Sequence, residues 1–442
     1  MKVGTAPANI PDGVRLNRMS ASSLAAGLRQ GEITAADLVD ACLDRIAARE
    51  PDVKAWAFLD WERARERAGL ADAWRASGQL LGPLHGLPVG VKDVFDTADM
   101  PSEYGSATLR GRQPAKDADA VAMLRRAGAI IIGKTATSEF GMYHPSPTRN
   151  PRDLSRTPGV SSSGSAAAVV DHMVPLGLGT QHTASTTLPA SFCGAFAFKP
   201  SLGFTSMTGS NILVPRLAHL GLLARSVSDL GLFAGVFDPA FAELRPLVRA
   251  PRLGFVKGPG WTTADEDARD ALEALVKALP TTIAPVDLPV EFEDAPDITI
   301  GLLNAHLAYR FGAVPEETVQ RYCGPLRDGI EAGRKISAER YLVLDGQADR
   351  LVELAGRLFN DIDAIITLSA PGEAPLLQDG PGAGVMSMPW SLCGLPTVSL
   401  PLLTGRHGLP IGLQLIGRRG NDAWLLRVAA WFEAVAENRI PR

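Results

Sequence analysis

Val39, Cys42, Leu43 and Ile46 recur at i, i+3, i+4 and i+7, the spacing of a helix face turned to a core. Just upstream, Thr34-Ala35-Ala36-Asp37 offers a capping hydroxyl and an acid three residues on to answer it, so a helix starts there. A short apolar piece, Ala55 to Leu59, comes next, followed by a charged helix from Ala64 to Ser77 expected to lie across the outside. The opening therefore reads α-β-α. From Pro83 onward the texture changes to short apolar runs punctuated by glycine and proline: Leu87 to Val91, Ala129 to Ile132 and Val174 to Leu178. These predict buried strands of a mixed or parallel sheet. Helical pieces, Ala118 to Ala127 and Ser165 to Val170, alternate with them, which argues for an α/β fold with helices on both faces. The stretch from about Asp238 to Gly356 has polar helical patterning and no distinctive motif. Strand-like runs return at Ala364 to Ser369, Pro396 to Pro401 and Pro410 to Ile416, before a closing helix from Ala423 to Ala434.

Composition narrows the classes. At 442 residues and 46% hydrophobic, the chain can bury a large core. Its formal net charge of −4 comes from 44 basic and 48 acidic residues, with no run of five like charges, so nucleic acid and anionic membrane are poor partners. Cys42, Cys193, Cys323 and Cys393 are scattered singly, without a CxxC pair or histidines at metal-ligand spacing, as in a reducing compartment. The N-terminus lacks a basic segment followed by an apolar run, and no stretch approaches the ~18 apolar residues that span a bilayer. A soluble, cytoplasmic protein is expected.

Hydroxyls crowd two small-residue turns. One is Pro158-Gly159-Val160-Ser161-Ser162-Ser163-Gly164-Ser165, and the other is Gly179-Thr180-Gln181-His182-Thr183-Ala184-Ser185-Thr186-Thr187. Serines at helix starts commonly serve only as caps. What changes the weight is Lys92, a single lysine inside the apolar run Gly86 to Phe95. It can snorkel outward or pair with Asp93. If it points instead into a desolvated pocket, burial lowers its pKa and frees a lone pair to act as a base for serine.

Together these segments resemble the amidase signature family, which uses a Ser/cis-Ser/Lys triad. The likeness extends through Gly133-Lys134-Thr135, Ser138-Glu139-Phe140-Gly141, Cys193-Gly194, Lys199-Pro200, Pro389-Trp390, Gly394-Leu395-Pro396 and Leu409 to Gln414, covering roughly residues 20 to 240 and 360 to 435. The family's lysine falls on Lys92, its cis-serine on Ser161 and its nucleophile on Ser185, in a register set by Ser165-Ala166-Ala167-Ala168. The resemblance implies hydrolysis of a small carboxylic amide through an acyl-serine, with no metal or organic cofactor. It places the oxyanion donors on the backbone N–H groups of His182, Thr183, Ala184 and Ser185, worth ~10²–10³ in rate. It also implies an α/β/α sandwich around a twisted mixed sheet, a single amidase domain over 1–442. Within it, 1–80 is an N-terminal helical part, 81–237 the catalytic core, 238–356 a variable insertion or cap near the mouth, and 357–442 the strands and helix that complete the core. A homodimer is left open.

The chain departs from the family at instructive places. Gln181 stands where Asp is usual, and Thr183-Ala184 where a Gly-Gly pair precedes the nucleophile. If either position needs φ > 0, the turn is strained and its donors displaced. A side chain at Ala184 is also expected to narrow the approach to Ser185. The run Ser161-Ser162-Ser163-Gly164-Ser165 with Gln181 resembles the malonamidase-like branch, yet that branch's carboxylate-gripping arginine is replaced by Thr187-Leu188. A small neutral or modestly apolar amide is therefore expected. Tyr143, His144, Met388 and Trp390 are candidate pocket walls, each with a core role as the plain alternative. His182 lacks a neighbouring Asp and reads as part of the turn rather than as an acid or base. The remaining alternatives are a transamidase component that works with a partner on charged transfer RNA, an esterase, and a silent homologue that only binds.

Overall fold

The computed structural model describes residues 15–437 apart from 242, 243, 246 and 248, so the predicted N-terminal part begins outside the described residues. The helix Ala35–Val53 starts at its cap. Thr34 accepts the Asp37 N–H at 3.0 Å and donates to the Asp37 carboxylate at 2.6 Å. The following helix, Trp61–Ala76, buries only Ala64 and Ala68, which fits its place on the outside.

Eleven strands among the described residues form one sheet. In chain order they are β1 (Trp56–Leu59), β2 (Pro88–Lys92), β3 (Ile130–Thr135), β4 (Leu176–Gln181), β5 (Phe196–Lys199) and β6 (His219–Ala224). The rest are β7 (Leu253–Phe255), β8 (Ile283–Pro285), β9 (Ala364–Leu368), β10 (Thr397–Thr404) and β11 (Pro410–Ile416). Their spatial order is β1-β3-β2-β4-β6-β5-β10-β11-β9-β7-β8. The sheet is mixed: β2 runs parallel to β3 and β4, and β7 to β8 and β9, while the other neighbours are antiparallel. Every residue of β2, β4 and β6 is buried, as in a sheet covered on both faces. The helices Ser163–Val170 and Thr187–Cys193 pack on one another and on central strands, and Val227–Ala234 and Asp422–Glu437 form a second such pair. The result is the α/β/α architecture expected.

Three features differ from the sequence reading. β5 and β6 do not stand out as apolar runs, because Lys199 and His219 lie in them, yet they join the two halves of the sheet. The 238–356 stretch adds β7 and β8 to the sheet's edge, in addition to the helices Ala295–Phe311, Gly324–Arg334 and Ala338–Arg357. β10 also runs past Pro401 to Thr404, with the proline taken up in a register shift between Leu400 and Leu403.

Because β2 and β4 are parallel, Lys92 and Gln181 end their strands on the same side of the sheet, where α/β folds place their sites. Gly164 brings the serine-rich turn down onto that edge. A Cβ there would lie 2.5 Å from the Ala136 nitrogen and 2.6 Å from the Ala55 oxygen, so only glycine permits the approach.

Candidate active site

Lys92 is fully buried. Its Nζ lies 2.8 Å from Ser161 Oγ, 3.0 Å from Ser162 Oγ and 2.8 Å from Thr180 Oγ1, and makes no ion pair among the described residues. Asp93, the alternative partner, points to the other face of β2 and pairs with the buried Lys134 at 2.9 Å. Lys134 is further held by Phe95 O and Ser102 Oγ, so it is a structural cation. Burial alone pushes the Lys92 pKa well below its ordinary 10.5. The hydroxyl inventory suits a neutral amine. Ser162 sends its proton to Thr180 O at 3.1 Å and so accepts from Lys92, while Ser161 or Thr180 is free to donate to the nitrogen lone pair.

Ser185 lies between β4 and the helix Thr187–Cys193, 7% exposed, on the floor of a cleft of about 390 Å³. The cleft is lined by apolar side chains, among them Met142, Leu213, Ile300, Leu303, Val385 and Met388. Asp297 is the one charged side chain in its lining among the described residues, and it is exposed at the rim. Ser161 lies under the cleft residue Gly141, whose Cβ position is 3.7 Å from the Ser161 hydroxyl. The Ser161 and Ser185 hydroxyls make no hydrogen bond with each other in this structure, so the lysine–serine link is closed and the serine–serine link is open.

The turn before Ser185 is held by Gln181. Its Oε1 accepts the N–H groups of Thr186 and Thr187 at 2.9 and 3.0 Å, and its Nε2 donates to Ser391 Oγ at 3.0 Å. Ser391 in turn donates to Thr183 O at 2.7 Å. An amide here caps the next helix through its oxygen and anchors the turn through its nitrogen, which accounts for the departure from Asp. Gln181→Leu is expected to strand two buried N–H groups at roughly 1–3 kcal/mol each. A urea midpoint equal to that of the wild type would show that the cap does not stabilise the fold.

The feared strain is absent. Positive φ at non-glycine residues occurs, among the described residues, only at Lys54, Tyr104, Phe140 and His172, so Thr183 and Ala184 sit in ordinary backbone regions. The N–H groups of Thr183, Ala184 and Ser185 donate to no protein acceptor among the described residues, which leaves three consecutive donors at the turn that ends in Ser185. The Ala184 methyl does not narrow the approach. It is fully buried in a small cluster with Val160, Leu188, Phe192, Ala370 and Ala374 and is not part of the cleft lining.

Other expectations are corrected. No cis peptide bond occurs among the described residues, so Ser161 follows an ordinary trans bond, the state favoured by about 2.5–4 kcal/mol for a residue other than proline. Trp390 is 1% exposed and packs on Phe292 at 6.2 Å between ring centres, so it belongs to the core and not to the cleft wall. His144 is likewise outside the cleft lining, while Tyr143 and Met388 are in it. Thr187 is buried, bonded to Gln181 and to Ser387 Oγ at 2.8 Å, and Leu188 is in the small cluster, so neither presents a charge to the cleft. Ser162 and Thr180 were missed as partners of Lys92, although both lie in the quoted motifs. Only the sheet's pairing reveals that they converge.

A mixed α/β sheet that presents a buried lysine and serine hydroxyls beneath an apolar cleft defines a hydrolase class. The comparisons specify it. The Amidase family model matches residues 37–426. A glutamyl-tRNA(Gln) amidotransferase subunit of Chloroflexus aggregans is 34% identical over 475 residues, spanning 96% of this chain and 97% of that protein. AmiD of Mycobacterium bovis, named as a putative amidase, is 32% identical over 450 residues, covering 95% of this chain and 94% of that one. A crystal structure of an amidase superposes with a TM-score of 0.86 at 30% identity, covering 94% of this chain and 99% of the other. The chain belongs to the amidase family, whose members act on carbon–nitrogen bonds. Among the described residues no helix is long and apolar enough to cross a membrane.

Proposed function

We propose that the protein hydrolyses a small, uncharged carboxylic amide through an acyl-enzyme on Ser185, with Ser161 as relay and neutral Lys92 as base. The observation that carries this reading is a fully buried lysine with no carboxylate partner, 2.8 Å from the Ser161 hydroxyl. Ser185 Oγ attacks the amide carbon while its proton passes to Ser161 and the Ser161 proton to Lys92. The carbonyl oxygen takes the negative charge and is met by the free N–H groups of the turn. Collapse breaks the carbon–nitrogen bond as the proton returns through Ser161 to the leaving nitrogen. Water then attacks the acyl-serine by the same route and releases the acid. The open Ser161–Ser185 link suits a relay whose catalytic hydrogen bond closes in the Michaelis complex.

The cleft supports the substrate class. No lysine or arginine is in its lining among the described residues, so a substrate carboxylate has no forked donor to bind, and apolar walls favour an aliphatic or aromatic acyl group. The whole chain is taken as one catalytic unit, with the 238–356 stretch lending Ile300 and Leu303 to the cleft. The four free cysteines agree with a cytoplasmic setting.

A second reading is favoured by the full-length likeness to the Chloroflexus amidotransferase protein: that this chain works with a partner on charged transfer RNA. Assay of the purified protein alone against neutral aliphatic and aromatic amides separates the two. Turnover without a partner supports the amidase reading, and activity only on addition of other subunits supports the transamidase. Ser161→Ala is expected to lower kcat by roughly 10²–10⁴-fold with the fold intact. An unchanged kcat would remove Ser161 from the relay.

A further inference from the structure

Residues 211–213, between β5 and β6, bond to the segments that carry Lys92 and Ser185 and to the one that covers Ser161. The Asn211 N–H donates to Val94 O at 2.8 Å, two residues beyond Lys92. Asn211 Nδ2 donates to Phe140 O at 2.8 Å, beside Gly141, which covers Ser161. The Leu213 N–H donates to His182 Nε2 at 3.3 Å, in the turn that carries Ser185. From the helix Ala295–Phe311, Arg310 closes the set, donating to Asn211 Oδ1 at 2.7 Å and to Ile212 O at 2.6 Å. Asn211 is 5% exposed and Leu213 is itself part of the cleft wall. Each polar group of the Asn211 side chain is thereby used, and a buried amide so fully engaged fixes one conformation.

We propose that residues 211–213 form a strap that holds in register the segments bearing Lys92 and Ser185 and the Phe140-Gly141 segment that covers Ser161, with Asn211, His182 and Arg310 as positioning residues. The proposal rests on the catalytic reading above. In it His182 serves as an acceptor for a main-chain N–H, not as an acid or base. That role requires an unprotonated Nε2. Burial, together with Lys92 and Arg310 nearby, pushes the His182 pKa down to about 3, so the lone pair is present at neutral pH. Arg310 is exposed on its helix and its two contacts are directed at the strap, which makes it the member whose replacement least threatens the core.

The test uses two readouts, neither of which needs the natural substrate. One is the second-order rate of Ser185 labelling by a serine-directed fluorophosphonate. The other is amide hydrogen exchange in a peptide spanning Leu213. Arg310→Met and His182→Ala are each expected to slow labelling roughly ten- to a hundredfold, the scale of a misplaced catalytic group. Both are expected to speed exchange at Leu213. The double variant is expected to lose no more than the worse single one, since both act on one strap. Arg310→Lys, which retains a donor, is expected to recover part of the rate. Wild-type labelling and wild-type exchange in Arg310→Met and His182→Ala would overturn the proposal, as would losses that multiply in the double variant. If the wild type itself does not label, the nucleophile reading fails, and exchange at Leu213 still decides whether the strap exists.

Discussion

Lys92→Met is expected to lower kcat/KM by about 10²–10⁴-fold, the share of a general base, while the fold persists. In the proposed relay the neutral amine is the reactive form, so wild-type kcat/KM should fall as pH drops through the depressed folded pKa of Lys92. That inflection lies well below the ordinary 10.5 of a lysine. The same residue leaves a signature in stability. An unfolded Lys92 binds a proton up to about pH 10.4, which the buried one has released, so the unfolded state holds the extra proton between the folded pKa and that value. This group's contribution therefore makes the wild type more stable as pH rises through the window. Lys92→Met lacks this contribution. Its stability relative to the wild type is expected to be greatest near the folded pKa and to shrink toward pH 10, as urea denaturation at a series of pH values will show. A constant difference would mean that Lys92 is charged in the folded protein and is not the base.

The larger effect is expected at Ser185. Ser185→Ala removes the atom proposed to bond the acyl carbon, and loss of a nucleophile in a serine hydrolase costs on the order of 10⁶ in kcat. Ser185 is 7% exposed and its hydroxyl makes no hydrogen bond among the described residues, so its removal strands no partner there and should leave the thermal midpoint near that of the wild type. Activity lost at unchanged stability would separate a chemical role from a structural one. Residual turnover within tenfold of the wild type would mean that another group carries the acyl chain.

How much of this was legible beforehand depended on how locally each feature is written. The lysine run, the serine turn and the Gly-Thr strand end are contiguous stretches, so the resemblance points to Lys92, Ser161 and Ser185, of which the structure joins Lys92 and Ser161 by a hydrogen bond. Pro410 to Ile416 was likewise readable as a strand from its own residues, and β11 has those bounds. Gln181 and Thr183-Ala184 looked like liabilities, because their compensation is tertiary. The partner Ser391 is 210 positions from Gln181, and negative φ in the turn is not written in residue type. The strap was invisible for the same reason. Asn211 and Arg310 are 99 positions apart, and several of the strap's bonds use main-chain atoms that any residue supplies. Trp390 shows the converse: an aromatic in a family motif reads as a pocket wall, but packing against Phe292 places it in the core.

The central claim is that Ser185 is a nucleophile activated from Lys92. Intact-protein mass after exposure to a serine-directed fluorophosphonate, in the wild type, Ser185→Ala and Lys92→Met, tests it most directly. One adduct per chain is expected in the wild type, none in Ser185→Ala and strongly slowed labelling in Lys92→Met. An adduct that persists in Ser185→Ala, or labelling in Lys92→Met at the wild-type rate, would contradict it.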